Sequence, residues 1–107
     1  MSNNIKVIYR ILKILEWAMD YEELDTTRLA PGSLQVTKSK RDALLIELQE
    51  KGYIKGLQFR QYVDDPAPEI VSIASVKITL DGLQYLEENS MMKKAAALAK
   101  GIVEIIT

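Results

Sequence analysis

The sequence has no cysteine and no histidine. Without cysteine there is no disulfide framework and no thiolate metal site. Without histidine the commonest general acid–base, the usual zinc ligand and every Ser-His or Cys-His nucleophile arrangement are missing. Long hydrophobic runs are missing too. Lys6, Arg10, Lys13 and Glu16 interrupt the apolar stretches, and none reaches the roughly 20 residues that span a bilayer. Met1-Ser2-Asn3-Asn4 lacks the basic region and apolar core of a signal peptide. The expected location is the cytoplasm, with no membrane partner. Charge of one sign is also scarce, with 14 basic against 15 acidic side chains and a formal net charge of −1. Nucleic-acid binders are often strongly basic, because phosphate neutralisation supplies much of their affinity. The balance therefore counts mildly against DNA and leaves a local basic patch as the means of binding it.

What is present suffices for one core. With 107 residues, 48% of them hydrophobic, the chain reads as a single domain over 1–107. The segment 3–21 reads as a helix. At roughly 100° per residue, Val7, Ile8, Ile11, Leu12, Ile14, Leu15, Ala18 and Met19 share one face, opposite Lys6, Lys13, Glu16 and Asp20. Trp17 and Tyr9 flank the polar side. This face is wider than a small core needs, and a partner surface is the expected use of the surplus. Asp25 can cap a short helix that Pro31-Gly32 must end. Thr37 caps a helix from Lys38 to about Lys51, with Leu44, Leu45 and Leu48 as its buried stripe and Gly52 as a left-handed stop.

From Ile54 to Val63 the pattern turns to strand, Leu57, Phe59 and Gln61 alternating with Gln58, Arg60 and Tyr62. Asp64 to Glu69, with two prolines and three acids, is a turn. Ile70 to Ile78, rich in β-branched residues, returns as the second strand of a hairpin. Thr79 caps a helix from Leu80 to about Asn89 that buries Leu83 and Leu86, with Tyr85 alongside. Ser90 is expected to cap a separate last helix, Met91 to Ile106, again with a wide apolar face.

Helix, short helix, capped helix, hairpin and trailing helices form an α+β, mainly helical order: that of a winged helix–turn–helix. Its parts are a first helix (3–21), the helix–turn–helix (25–51), a two-stranded hairpin wing (54–78) and C-terminal helices (79–106). Thr79-Leu80-Asp81-Gly82 followed by Tyr85-Leu86-Glu87-Glu88-Asn89-Ser90 resembles a stretch of the YjcQ-like family, small winged-helix proteins of low-GC bacteria and their prophages. Val36-Thr37 through Glu50-Lys51-Gly52-Tyr53-Ile54-Lys55-Gly56 is similar to that family's recognition helix and first wing strand. The resemblance runs from about Asp25 to Ser90. It implies a phage-type or regulatory, DNA-associated protein and no more. The Thr-x-x-Gly and Tyr-Leu motif also recurs in MarR-like and PadR-like repressors. One departure is Arg41, where the family commonly has an aromatic. Lying beside Leu44 and Leu48 at the edge of the stripe, Arg41 is expected to snorkel outward and add positive charge at the start of the helix.

Lys38, Lys40 and Arg41 are the densest basic stretch, in the turn that meets base edges and phosphates in helix–turn–helix proteins. Thr37 and Ser39, with the helix's positive end, add phosphate contacts. The same three cations are also ordinary solubility chemistry on an exposed turn. The solvent side further along, read as Ala43, Ile46, Glu47 and Glu50, repels phosphate and offers Ala43 and Ile46 to a protein instead. On the wing, Lys55 and Arg60, with Gln58, are candidate backbone contacts, beside a tip of the wrong sign. Adjacent acids such as Asp64-Asp65, Glu22-Glu23 and Glu87-Glu88 point in different directions and do not make a carboxylate pair. The glycines build no phosphate loop. No enzyme, metal or cofactor is expected.

Two functions therefore stay open. One is a DNA-binding transcription regulator of phage or prophage type, dimeric through its first and last helices, with Ile102, Ile105 and Ile106 beside Ile8 and Leu15. The other is a winged helix used as a protein-interaction or assembly module. A continuous basic patch from Lys38–Arg41 to Lys55–Arg60 favours the first, and an apolar patch at Ala43 and Ile46 the second. The sequence names no small-molecule effector.

Overall fold

The computed structural model describes residues 4–64 and 68–99, with side chains as far as 89. Helix α1 spans Asn4–Ala18 and buries Val7, Ile11, Leu12 and Leu15. Its predicted extension to Tyr21 is a tightened last turn, in which the amides of Met19, Asp20 and Tyr21 each reach back three residues. Ile8 and Ile14 pack against the same core, so much of the wide face is consumed within the chain. Leu15, expected at a dimer surface, is fully buried in the core instead. Ile102, Ile105 and Ile106 lie outside the described residues.

Asp25 caps a 3-10 turn, Thr26–Leu29, accepting the Thr27 amide. The Thr27 hydroxyl donates to the same carboxylate, and the two bonds hold Asp25 below the usual carboxylate range. This element ends just before Pro31, as expected, with Ala30 extended at ψ 146°, but no loop follows. Pro31 opens a second one, α2 (Pro31–Leu34), at the position where a missing amide hydrogen costs nothing. Gln35, left-handed at φ 59°, turns the chain into α3.

Helix α3 spans Lys38–Glu50 behind the Thr37 cap and stops before Gly52, at φ 81°. Its buried residues are Asp42, Leu45, Ile46 and Leu48. The face is thus centred on Leu45, and Ile46, read from sequence as solvent-facing, is only 7% exposed. The apolar patch at Ala43 and Ile46 does not form.

The hairpin is present, but broken into two antiparallel pairs. Strand β1 (Ile54–Lys55) pairs with β4 (Lys77–Ile78), and β2 (Gln58–Arg60) with β3 (Glu69–Ser72). The break falls at Gly56, whose φ of 85° and close contact with the Ser75 carbonyl leave no room for a Cβ. Leu57, beyond it, is held by Gln49, which accepts the Leu57 amide at 2.8 Å and donates to its carbonyl at 3.0 Å.

Helix α4 spans Leu80–Ala99 and runs straight through Ser90, where a break was expected. No glycine or proline interrupts it there, and the Asn89 side-chain amide, which donates to the Tyr85 carbonyl four residues back at 2.8 Å in competition with the backbone, does not end it. Thr79 docks the start of α4. Its hydroxyl accepts the Gly82 amide and donates to the Gly52 carbonyl, while its own amide donates to the Tyr53 carbonyl. The Thr-x-x-Gly motif thereby pins α4 to the turn that leaves α3, and Tyr85 stacks on Tyr53 at 5.1 Å.

Lys55 and Lys77 stand directly opposite each other in the β1–β4 pair. Like charges so placed oppose pairing. Lys77→Glu is therefore expected to stabilise the protein by ~0.5 kcal/mol, raising its melting temperature by roughly 2–4 °C. Thermal denaturation at low salt checks this, and a lower melting temperature contradicts it.

Candidate nucleic-acid interface

The first turn of α3 is built by Thr37. Its backbone is extended, its hydroxyl accepts the Lys40 amide at 3.1 Å, and its carbonyl accepts the Arg41 amide at 3.0 Å. This leaves the Lys38 and Ser39 amides at the helix end, where the backbone dipoles favour an anion. Thr37, Lys38 and Ser39 are exposed and Lys40 is half-buried. An open depression of about 380 Å³ beside the turn is lined by Gln35, Val36, Thr37 and Lys40.

The three basic side chains of this turn are not equivalent. Lys38 is 71% exposed, with Nζ 2.7 Å from Asp42 Oδ2. Arg41 does not snorkel outward. Its side chain is 12% exposed, donating through Nε to Asp42 Oδ1 at 2.8 Å and through Nη1 to the Leu29 carbonyl at 3.3 Å. The Asp42 carboxylate, 11% exposed, supplies the counter-charge that draws it inward. Arg41 joins α3 to the 3-10 turn, and its cation is spent there. Asp42 is the site residue that sequence reasoning missed, although its spacing of four from Lys38 and its position next to Arg41 are the available signals.

The two wing cations lie apart. Lys55 follows the C-terminal end of α3 and lines a different cavity, with Leu15, Ala18 and Met19 from the end of α1. It does not join the turn at Thr37–Lys40. Arg60 is exposed on β2, donates to the Tyr62 hydroxyl at 3.1 Å and faces Glu69 across the pair. The lining of the cavity at Lys55 shares no residue with the depression at Thr37 and Lys40, and Arg41 between the two groups is turned inward. Glu47 and Glu50 are exposed on the rest of α3, as expected.

A second group of cations, which sequence reasoning also passed over, lies between α1 and the 3-10 turn. Arg10, Lys13 and Arg28 line a groove of about 410 Å³ with Thr27 and Ser33. Each is engaged. Arg10 donates to the carbonyls of Ser33 and Leu34, at 2.9 and 3.4 Å. Lys13 pairs with Glu16 at 3.0 Å, and that hydrogen bond raises its pKa. Arg28 pairs with Asp25 at 3.7 Å and lies 4.4 Å over the Trp17 ring.

Among the described residues no helix is long and apolar enough to cross a membrane. Among the described residues, four α-helices and two small antiparallel strand pairs, with a Thr37-capped turn open to solvent, define an α+β, mainly helical protein. The chain belongs to the YjcQ protein family, which it matches over residues 9–105. No curated protein and no solved structure matches it.

Proposed function

We propose that this is a non-catalytic DNA-binding protein, a transcription regulator of phage or prophage type. In this reading α1 to α4 form a winged helix–turn–helix with α3 as recognition helix and β2–β3 as wing. The observation that carries it is the solvent-facing, Thr37-capped first turn of α3, with Lys38, Ser39 and Lys40 around a free helix end. Burial of Ile46 supports it as well, because it removes the apolar patch that would have marked this helix for a protein. Glu47 and Glu50 limit the approach to a shallow insertion by the first turn, with Arg60 as the remaining wing contact. The proposed regulator is a dimer through its first and last helices, placing two such turns on two half-sites. Ile5 is exposed on α1 and Ile8 is half-buried there.

Fluorescence anisotropy with a labelled random duplex pool, at low and moderate salt, tests the reading. Binding is expected to weaken steeply with salt. Lys38→Ala with Lys40→Ala should lower affinity about tenfold or more at low salt and flatten the salt dependence by about two phosphate contacts. Helicity should not change. Arg41 is left in place because it holds the fold. Unchanged affinity in the double variant removes α3 from the interface, and no binding at low salt removes DNA.

A second reading, a protein-interaction module, is favoured by one observation. Trp17, Met19 and Tyr21 are exposed together at the end of α1 and just beyond it, with Trp17 and Tyr21 rings 4.4 Å apart and Arg28 on the Trp17 face. Trp, Tyr and Arg are the residue types that dominate protein interfaces. Absence of DNA binding would direct attention there.

A further inference from the structure

Where α1 ends, the chain closes over the β1–β4 pair and encloses a cavity of about 330 Å³, within the range of small-molecule sites, ~300–1,000 Å³. Its apolar wall is Leu15, Leu24, Val76 and Ile78, of which Leu15, Val76 and Ile78 are buried. Lys55 and Lys77 also line it, from opposing positions of the strand pair. Among the described residues neither lysine's ammonium group has a hydrogen-bonding or ion-pair partner. In this they differ from Lys13, Arg28, Lys38 and Arg41, each held by a carboxylate. Glu22 is the one carboxylate of the lining and pairs with neither.

We propose that this cavity binds a small amphipathic monocarboxylate. The apolar body lies against Leu15, Leu24, Val76 and Ile78, and the carboxylate sits between the ammonium groups of Lys55 and Lys77. Two like charges set opposite each other weaken the empty strand pair, and an anion between them relieves that repulsion. Lysine suits the task, since its flexible stem extends the apolar wall and its head needs no fixed bidentate geometry. Glu22 sets the valence. Two lysines and one carboxylate leave a single positive charge at the mouth, which one carboxylate balances and a dianion overshoots. The site is independent of the DNA reading, because none of Thr37, Lys38, Ser39 and Lys40 lines it.

The test uses the full chain and three probes of one length: octanoate, 1-octanol and octylammonium. Binding is read by calorimetry and by emission of the single tryptophan, Trp17, which packs against Tyr21 on the cavity wall. Octanoate is expected to saturate one site and to bind about tenfold more tightly than octanol, the effect of two partly exposed charge pairs. Octylammonium should bind more weakly still. Lys55→Gln with Lys77→Gln should erase the preference for octanoate and leave octanol unchanged. Equal affinity of the wild-type chain for all three probes overturns the proposal without recourse to any variant. So does an octanoate preference that survives loss of both lysines, or the absence of saturable octanoate binding.

Discussion

Gly82→Ala is expected to lower the melting temperature by roughly 12–24 °C, while Gly32→Ala leaves it unchanged or slightly raised. The two glycines are both helical, so intrinsic propensity favours alanine at each by about 0.5–1 kcal/mol. Space separates them. A Cβ at Gly32 meets nothing within 4 Å, whereas at Gly82 it collides with the Tyr53 carbonyl oxygen and comes within 2.7 Å of the Ile78 side chain. The obstructing oxygen is backbone and is itself fixed as acceptor of the Thr79 amide. It cannot step aside without breaking the bond that docks α4. Overpacking of this kind costs about 3 kcal/mol, a large part of a typical domain stability of ~5–15 kcal/mol. Thermal melts followed by far-ultraviolet circular dichroism decide the matter. Melting temperatures that agree between the two variants would mean that α4 does not approach the turn after α3 this closely.

Asp42→Ala is expected to cost about 3 kcal/mol, the penalty of leaving a buried partner charge uncompensated. The residue is buried in α3 and accepts from both Lys38 and Arg41. Lys38 is solvated without it. Arg41, its side chain 12% exposed, keeps its bond to the Leu29 carbonyl but loses its counter-charge. Asp42→Ala combined with Arg41→Met should recover much of the loss, because removing both charges is far cheaper than removing one. Urea denaturation of both single variants and the double closes the cycle. Additive losses would show that the two side chains do not depend on each other.

This pair also explains where the sequence was opaque. An aspartate and an arginine near the start of α3 read as surface residues, so the stripe of Leu44, Leu45 and Leu48 is legible while Asp42 and Ile46 on its other flank are not. Their burial becomes visible only once Asp42 and Arg41 are seen to neutralise each other inside. Features decided by neighbouring residues were legible: the Thr37 and Thr79 caps, the left-handed Gly52, the return of the chain as a hairpin. Features decided by distant contacts were not. The break at Gly56 depends on the Ser75 carbonyl arriving from the other strand. Ser90, a strong capping residue by type, lies within a helix that runs on to Ala99. The candidate interface divides in the same way. Thr37 to Lys40 share one turn because they adjoin in sequence, whereas the grouping of Lys55 with them assumed a face that the strand pairing does not build.

Arg10 bears on the order in which these parts assemble. Helix α2 is a single turn of four residues, too short to persist alone, since nucleation is unfavourable and one turn gains little in return. Its last carbonyls are satisfied by the Arg10 guanidinium, 24 residues away from Leu34 in the chain. The turn before α3 is therefore expected to become fixed late in folding, after α1 is helical and the intervening loop has closed. Loss of the Arg10 contacts is accordingly expected to speed unfolding more than it slows folding, and the chain that aims α3 should be among the first parts to open as the native protein fluctuates.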